Sequence, residues 1–281
     1  MRARLPLIAS ITAGAFLYAP VVGALCRQWV EDTTTAHGVL LAGAAGIVVF
    51  RKLPQLRRLP VHPEGLGLAV VAFGLLVFML GSLGAEVFVL RLSLPIVALG
   101  CVAALWGRRQ ARLLLSAFGL LLLAIPLPAV VVTALTLPMQ LLASRLAETL
   151  LALGGVNVIR DGNLLRLDNA MLDVAEACSG LRSSISLMAI GAVCAALFRM
   201  TRSRGALLMA LGIPIAIAGN GARIAATGYL TQWFGEGAAR GVPHDVTGYV
   251  AFAVMFAAIV AVIRLTRPSR PRARDIVPIQ A

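Results

Sequence analysis

Uncharged apolar runs of about 20 residues recur along this 281-residue chain, and about 20 residues is the length a helix needs to cross the hydrocarbon of a bilayer. Residues 65–85, for example, hold no charged side chain. Hydrophobic residues make up 59% of the chain and charged residues 13%, against roughly 45–50% and about 25% in a soluble domain. A water-soluble globule is excluded. Only 10 Phe, 3 Trp and 3 Tyr are present, so aliphatic side chains carry the hydropathy. The 25 basic and 12 acidic residues give a net charge of +13. In a soluble chain that balance would suggest nucleic acid; in a membrane chain it marks the loops left on the cytoplasmic side, and no nucleic-acid partner is expected. The four cysteines, at 26, 101, 178 and 194, have no CxxC or Cys/His spacing. Neither a metal site nor a disulfide framework is indicated, and no cofactor is expected.

The first apolar run, Leu5 to Leu25, follows Arg2 and Arg4 but is too long for the core of a secretory signal, so it reads as a first span. Further spans are predicted at about 35–50, 65–85, 92–107, 113–133, 179–198, 205–230 and 246–265, eight in all. With eight spans, 17 of the 25 basic residues fall on one side: Arg2 and Arg4, the group from Arg51 to Arg58, Arg108, Arg109 and Arg112, Arg199 to Arg204, and Arg264 to Arg274. Of the acids only Glu64 and Asp275 join them. The positive-inside rule then places both termini in the cytoplasm of a multi-pass protein of the cytoplasmic (inner) membrane. The stretch 113–153 is long enough for two crossings, but a ninth span would put the arginines at 199–204 outside. Gln140, Arg145 and Glu148 also interrupt its second half, so an interfacial or re-entrant helix is expected over 134–153.

One sizeable extramembrane segment follows, residues 154–177. There Asp161-Gly162, a hairpin turn signal, separates Val156–Arg160 from Asn163–Leu167, and Met171–Val174 can add a third strand. The expected fold is therefore an all-α polytopic membrane protein: one integral domain over 1–265 with an outer β-ribbon near 154–177, then a basic tail, 266–281, rich in Pro and Arg and expected to be disordered.

Ionisable residues within membrane-associated helices are costly and functional by default. Three polar segments arrive at one membrane face in this topology. Cys178 stands where the outer loop enters the sixth span, in Glu176-Ala177-Cys178-Ser179-Gly180-Leu181-Arg182-Ser183. Asn220 and Arg223 lie one turn apart in the outer half of the seventh span, and His244 precedes the eighth, with Gly248 one turn on. Such a set suits thiol nucleophilic catalysis. A helix N-terminus and a nearby cation favour a thiolate at Cys178. An imidazole at His244 can take the thiol proton and return it to a leaving amine. Arg223 presents a planar fork of donors to a thiolate, an oxyanion or a substrate carboxylate, and Asn220 can fix a carbonyl or orient the arginine. Taken singly each signal also has a plain structural meaning: a packed cysteine, a snorkelling arginine, a solvated loop histidine. Cys101 and Cys194, within spans, are expected to pack only.

In these residues the chain resembles the exosortase and archaeosortase family of membrane cysteine transpeptidases. Ala177-Cys178-Ser179-Gly180-Leu181 with Arg182 and Ser183, then Asn220-x-x-Arg223, then His244 with Gly248, match that family's three blocks in order. The resemblance covers about 120–280 well and the first hundred residues only as generic spans. It implies that Cys178, Arg223 and His244 are catalytic and that Asn220, Arg182, Glu176, Ser179 and Gly180 support them or the substrate. It further implies that the substrates are secreted proteins with a C-terminal sorting tail, comprising a short signature, a transmembrane helix and a basic cluster. The tail would be cut near the signature on the outer face and the new C-terminus passed to an acceptor nucleophile. The competing class is a transporter or channel in which Arg223, Arg182 and Glu176 bind a solute. That class predicts broken helices paired between two related halves, and no such repeat is visible.

Overall fold

A computed structural model describes residues 4–168, 170–174, 180–235, 237 and 241–266. Nine helices and one small sheet are found among them: α1 (Arg4–Glu31), α2 (His37–Arg58), α3 (Gly65–Leu83), α4 (Val87–Leu105), α5 (Arg108–Leu123), α6 (Ala129–Leu153), β1 (Val158–Asp161), β2 (Leu164–Leu167), β3 (Met171–Asp173), α7 (Leu181–Leu197), α8 (Arg202–Phe234) and α9 (Gly241–Leu265). Six of the helices, α2, α3, α4, α6, α8 and α9, are long and apolar enough to cross a membrane. The architecture is that of a polytopic all-α membrane protein. The expected tail beyond residue 266 lies outside the described residues.

Specific contacts fix the helix directions. Arg51 donates to the Leu197 carbonyl at 3.2 Å, and Lys52 Nζ donates to the Leu113 carbonyl at 2.6 Å and to Ser116 Oγ at 2.7 Å. The C-terminal end of α2 therefore meets the end of α7 and the start of α5. Gly180 lies on Asn220 and Gly191 on Leu208, so α7 and α8 are antiparallel. Gly219 against Met255 makes α9 antiparallel to α8. The arginine-bearing ends of α2, α5, α7, α8 and α9 thus gather at one end of the bundle. That is the separation of basic residues the loop count predicts.

The stretch 113–153 differs from expectation. The predicted span over 113–133 is not one helix. α5 ends at Leu123, after about 24 Å, because Pro126 supplies no backbone donor and Pro128 forms the N-cap of a new helix. The helix expected over 134–153 is present as the greater part of α6, which starts earlier, is continuous for 25 residues and is by length and composition also long enough to span. Leu146 packs on Gly221 and Leu151 on Gly228, so α6 runs parallel to α8 and hence to α5. The chain does not reverse between α5 and α6. The polar residues that seemed to interrupt α6 are accommodated: Gln140 is buried and bonded to the Val174 carbonyl, and Glu148 pairs with Arg160 at 2.7 Å.

Three cores hold the bundle. Leu41, Val48, Leu120 and Ala192 join α2, α5 and α7. Leu187, Leu208 and Ile259 join α7, α8 and α9. Ala143, Leu151, Leu165 and Ile224 join α6, the sheet and α8. At 33 residues α8 is about 50 Å long, well beyond the roughly 30 Å of bilayer hydrocarbon. Its far end therefore stands clear with α6, and the antiparallel sheet β1-β2-β3 packs there. The hairpin turn is one residue later than the sequence signal suggests. Asp161 pairs with Leu164, leaving Gly162-Asn163 as the two-residue loop. Gly162 has φ +64 and Asn163 is not in the left-handed region, the pattern of a type II′ turn with glycine first.

Candidate active site

The end of the bundle opposite the arginine clusters holds a cation beside an imidazole. α8 carries Arg223 and the antiparallel α9 carries His244, and Arg223 Nη2 lies 2.9 Å from His244 Nε2. A guanidinium only donates, so a hydrogen bond at this contact uses Nε2 as the acceptor, the tautomer that carries its proton on Nδ1. The backbone of Gly248, one turn after His244, lies under the guanidinium: a Cβ there would be 3.0 Å from Nη2 and 3.2 Å from Cζ. Arg223 Nε and His244 Nδ1 are both buried and, among the described residues, have no hydrogen-bond partner. In such a half-buried place hydrogen bonds to a negative charge are stronger than in water.

Val174 and Gly180, on either side of residues 175–179, are each fixed by hydrogen bonds. Val174 is buried. Its N–H donates to the Asn163 carbonyl at 3.1 Å, and its carbonyl accepts from Gln140 Nε2 at 3.0 Å and Asn163 Nδ2 at 3.3 Å. Gly180 adopts the left-handed region, φ +80, and caps α7, its carbonyl accepting from Ser184 N at 2.9 Å. A Cβ at Gly180 would lie 3.3 Å from Cβ of the buried Asn220. Cys178, Ser179 and Glu176 lie outside the described residues. The structure therefore brings together Gly180, Asn220, Arg223 and His244, three of them in the described blocks on α8 and α9 and one at the start of α7.

Arg182 is not part of this group. It is exposed, two residues beyond Gly180 and so on the opposite face of α7, and its charge acts on Asp32 in the turn between α1 and α2. The Asp32 carboxyl is held below its ordinary range chiefly by the Thr34 hydroxyl, with a smaller contribution from Arg182. Asp245 is exposed. Cys26, Cys101 and Cys194 are free thiols, Cys101 and Cys194 within helices as expected. Gln140 and Asn163, which anchor Val174, are not among the residues that sequence reasoning selects. An amide within an otherwise apolar helix was the available signal for Gln140. Among the described residues no group of three or more His, Cys, Asp or Glu side chains is placed to hold a metal ion.

A bundle with this many apolar helices defines a multi-pass membrane protein, here with an Arg–His contact at one end of the bundle. The chain belongs to the transmembrane exosortase family: the family model described as Transmembrane exosortase (Exosortase_EpsH) matches residues 29–261, most of its length. It is thus a member of a family of membrane transpeptidases concerned with protein sorting. No curated protein and no solved structure matches it.

Proposed function

We propose that the protein cuts the C-terminal sorting tail of secreted proteins at the outer face of the cytoplasmic membrane, through a thioester on Cys178. The observation that carries this reading is the 2.9 Å contact of Arg223 with His244 beside Gly180 and Asn220. Gly180, two residues after Cys178 in sequence, lies against Asn220, one turn before Arg223 on α8. The solute-binding alternative gains no support from Arg182, which faces Asp32 instead.

The chemistry proceeds as follows. Nε2 bears the imidazole lone pair, so it is the nitrogen that accepts the Cys178 thiol proton once Arg223 turns its N–H away. The guanidinium then holds the thiolate and, after Sγ attacks the scissile carbonyl, the oxyanion. Collapse breaks the C–N bond, the imidazolium returns its proton to the leaving amine, and a thioester remains. An acceptor nucleophile attacks that thioester, passing its proton through His244 to the departing sulfur. Asn220 orients the entering segment, and Gly180 allows it to approach α8. Incubation of the purified protein with a tailed substrate tests this: parent protein cleaves it, and Cys178→Ala does not. Continued cleavage by Cys178→Ala would overturn the reading.

A further inference from the structure

At the arginine-bearing end of the bundle, a cleft of about 180 Å³ opens where α3 begins, α4 ends and α5 begins. Its walls are apolar, with Val70 and Leu99 inside and the exposed Leu115 at its flank. Arg108 and Arg112, one turn apart on the same face of α5, and Glu64 at the N-cap of α3 border it, although the surface they present to it is almost wholly apolar. Both arginines are exposed, and among the described residues the one ion pair is Arg160 with Glu148, so neither is matched by an acid. Arg109, between them in sequence, does not line the cleft.

We propose that this cleft binds one anionic phospholipid of the phosphatidylglycerol type. Two of the helices that form it, α3 and α4, are long and apolar enough to cross the bilayer, so its apolar walls meet acyl chains, and an acyl chain is the occupant already at hand. The polar groups select the headgroup. Two guanidinium groups and one carboxylate sum to a single positive charge, which one phosphodiester neutralises. Guanidinium groups take phosphate oxygens in a bidentate fashion. Basic pockets between transmembrane helices are a recurrent site for anionic headgroups. The cleft is at the end of the bundle remote from Arg223 and His244, so the lipid serves as a fixed part of the scaffold, holding the α3–α4 hairpin against α5. This assignment is independent of the proposed peptidase chemistry.

Native mass spectrometry of the full chain in detergent tests it, with phosphatidylglycerol, phosphatidylethanolamine and phosphatidylcholine of identical acyl chains supplied in equal amounts. One phosphatidylglycerol should be retained at least tenfold over phosphatidylcholine. Each basic contact at a membrane surface is worth about 1 kcal/mol, or about fivefold in affinity. Arg108→Gln with Arg112→Gln should therefore weaken retention about thirtyfold, Arg109→Gln less than threefold, and Glu64→Gln should strengthen it. Equal retention of phosphatidylglycerol and phosphatidylcholine would overturn the proposal, as would preference for phosphatidylethanolamine. An Arg109→Gln loss equal to that of the double variant would mean diffuse surface charge only. Displacement of the lipid by millimolar inorganic phosphate would mean an anion site without a lipid one.

Discussion

Replacing Gly248 with alanine separates the role of Arg223 from the stability of the fold. The added Cβ would meet Nη2 at 3.0 Å, Cζ at 3.2 Å and Nε at 3.4 Å. All three atoms belong to the mobile end of a side chain, so the guanidinium yields by a few tenths of an ångström and the helices need not part. That displacement falls on the 2.9 Å bond to His244 Nε2. A hydrogen bond to a charged group contributes about 1.5–3 kcal/mol. The same displacement takes the guanidinium off the oxyanion it is proposed to hold, and losing one such bond there slows processing by about 10- to 150-fold. Stability moves the other way, because alanine favours a helix interior over glycine by about 0.8–1 kcal/mol. Cleavage of a tailed substrate in membranes gives the rate, and thermal unfolding in detergent gives the stability. Processing within twofold of the parent, with the protein equally stable, would refute the placement of Arg223 over Gly248 as functional.

Other substitutions probe other contacts. Arg223→Lys should cost about a hundred- to thousandfold in processing, since a point charge does not replace a planar fork at an oxyanion; turnover within a few fold would make Arg223 a snorkelling residue. Gln140→Leu removes one of the two side-chain donors to the buried Val174 carbonyl and should lower stability in thermal unfolding by about 1 kcal/mol, with expression retained; an unchanged transition would mean that this contact contributes nothing. Arg182→Gln should be processed within a few fold of the parent, because Arg182 is exposed on the far face of α7; a hundredfold loss would contradict that separation. The lowered Asp32 carboxyl contributes stability that is present above the ordinary carboxylate range and is lost as pH falls through its folded value. Thr34→Val removes the main cause, so its acid transition in thermal unfolding should begin at higher pH.

Much of this arrangement is legible in the chain. Lipid-length apolar runs and the division of the arginines predict the helices and the end at which their basic residues collect, because burial in hydrocarbon and the cost of charge there act on single segments. The stretch 113–153 was less legible. Counting charges treats Gln140, Arg145 and Glu148 as interruptions, whereas tertiary partners, the Val174 carbonyl and Arg160, allow α6 to continue through two of them. The hairpin shifted by one residue because Gly162 is used at the first loop position and Asn163 at the second. For the candidate site, residue types in three separated segments suggested convergence, and the Arg223–His244 contact fits that pattern. Arg182, adjacent to the cysteine block in sequence, faces away because the 100° step of a helix turns neighbours apart.

The central claim concerns a covalent bond to one sulfur. Purified protein mixed with a tailed substrate, quenched in acid and digested, should yield by mass spectrometry a substrate-derived acyl group on the peptide containing Cys178, released by hydroxylamine. The adduct should be absent from Cys178→Ala and unchanged in Cys101→Ala and Cys194→Ala. Cleavage of the substrate by Cys178→Ala, or an acyl group found on Cys26 instead, would contradict the account.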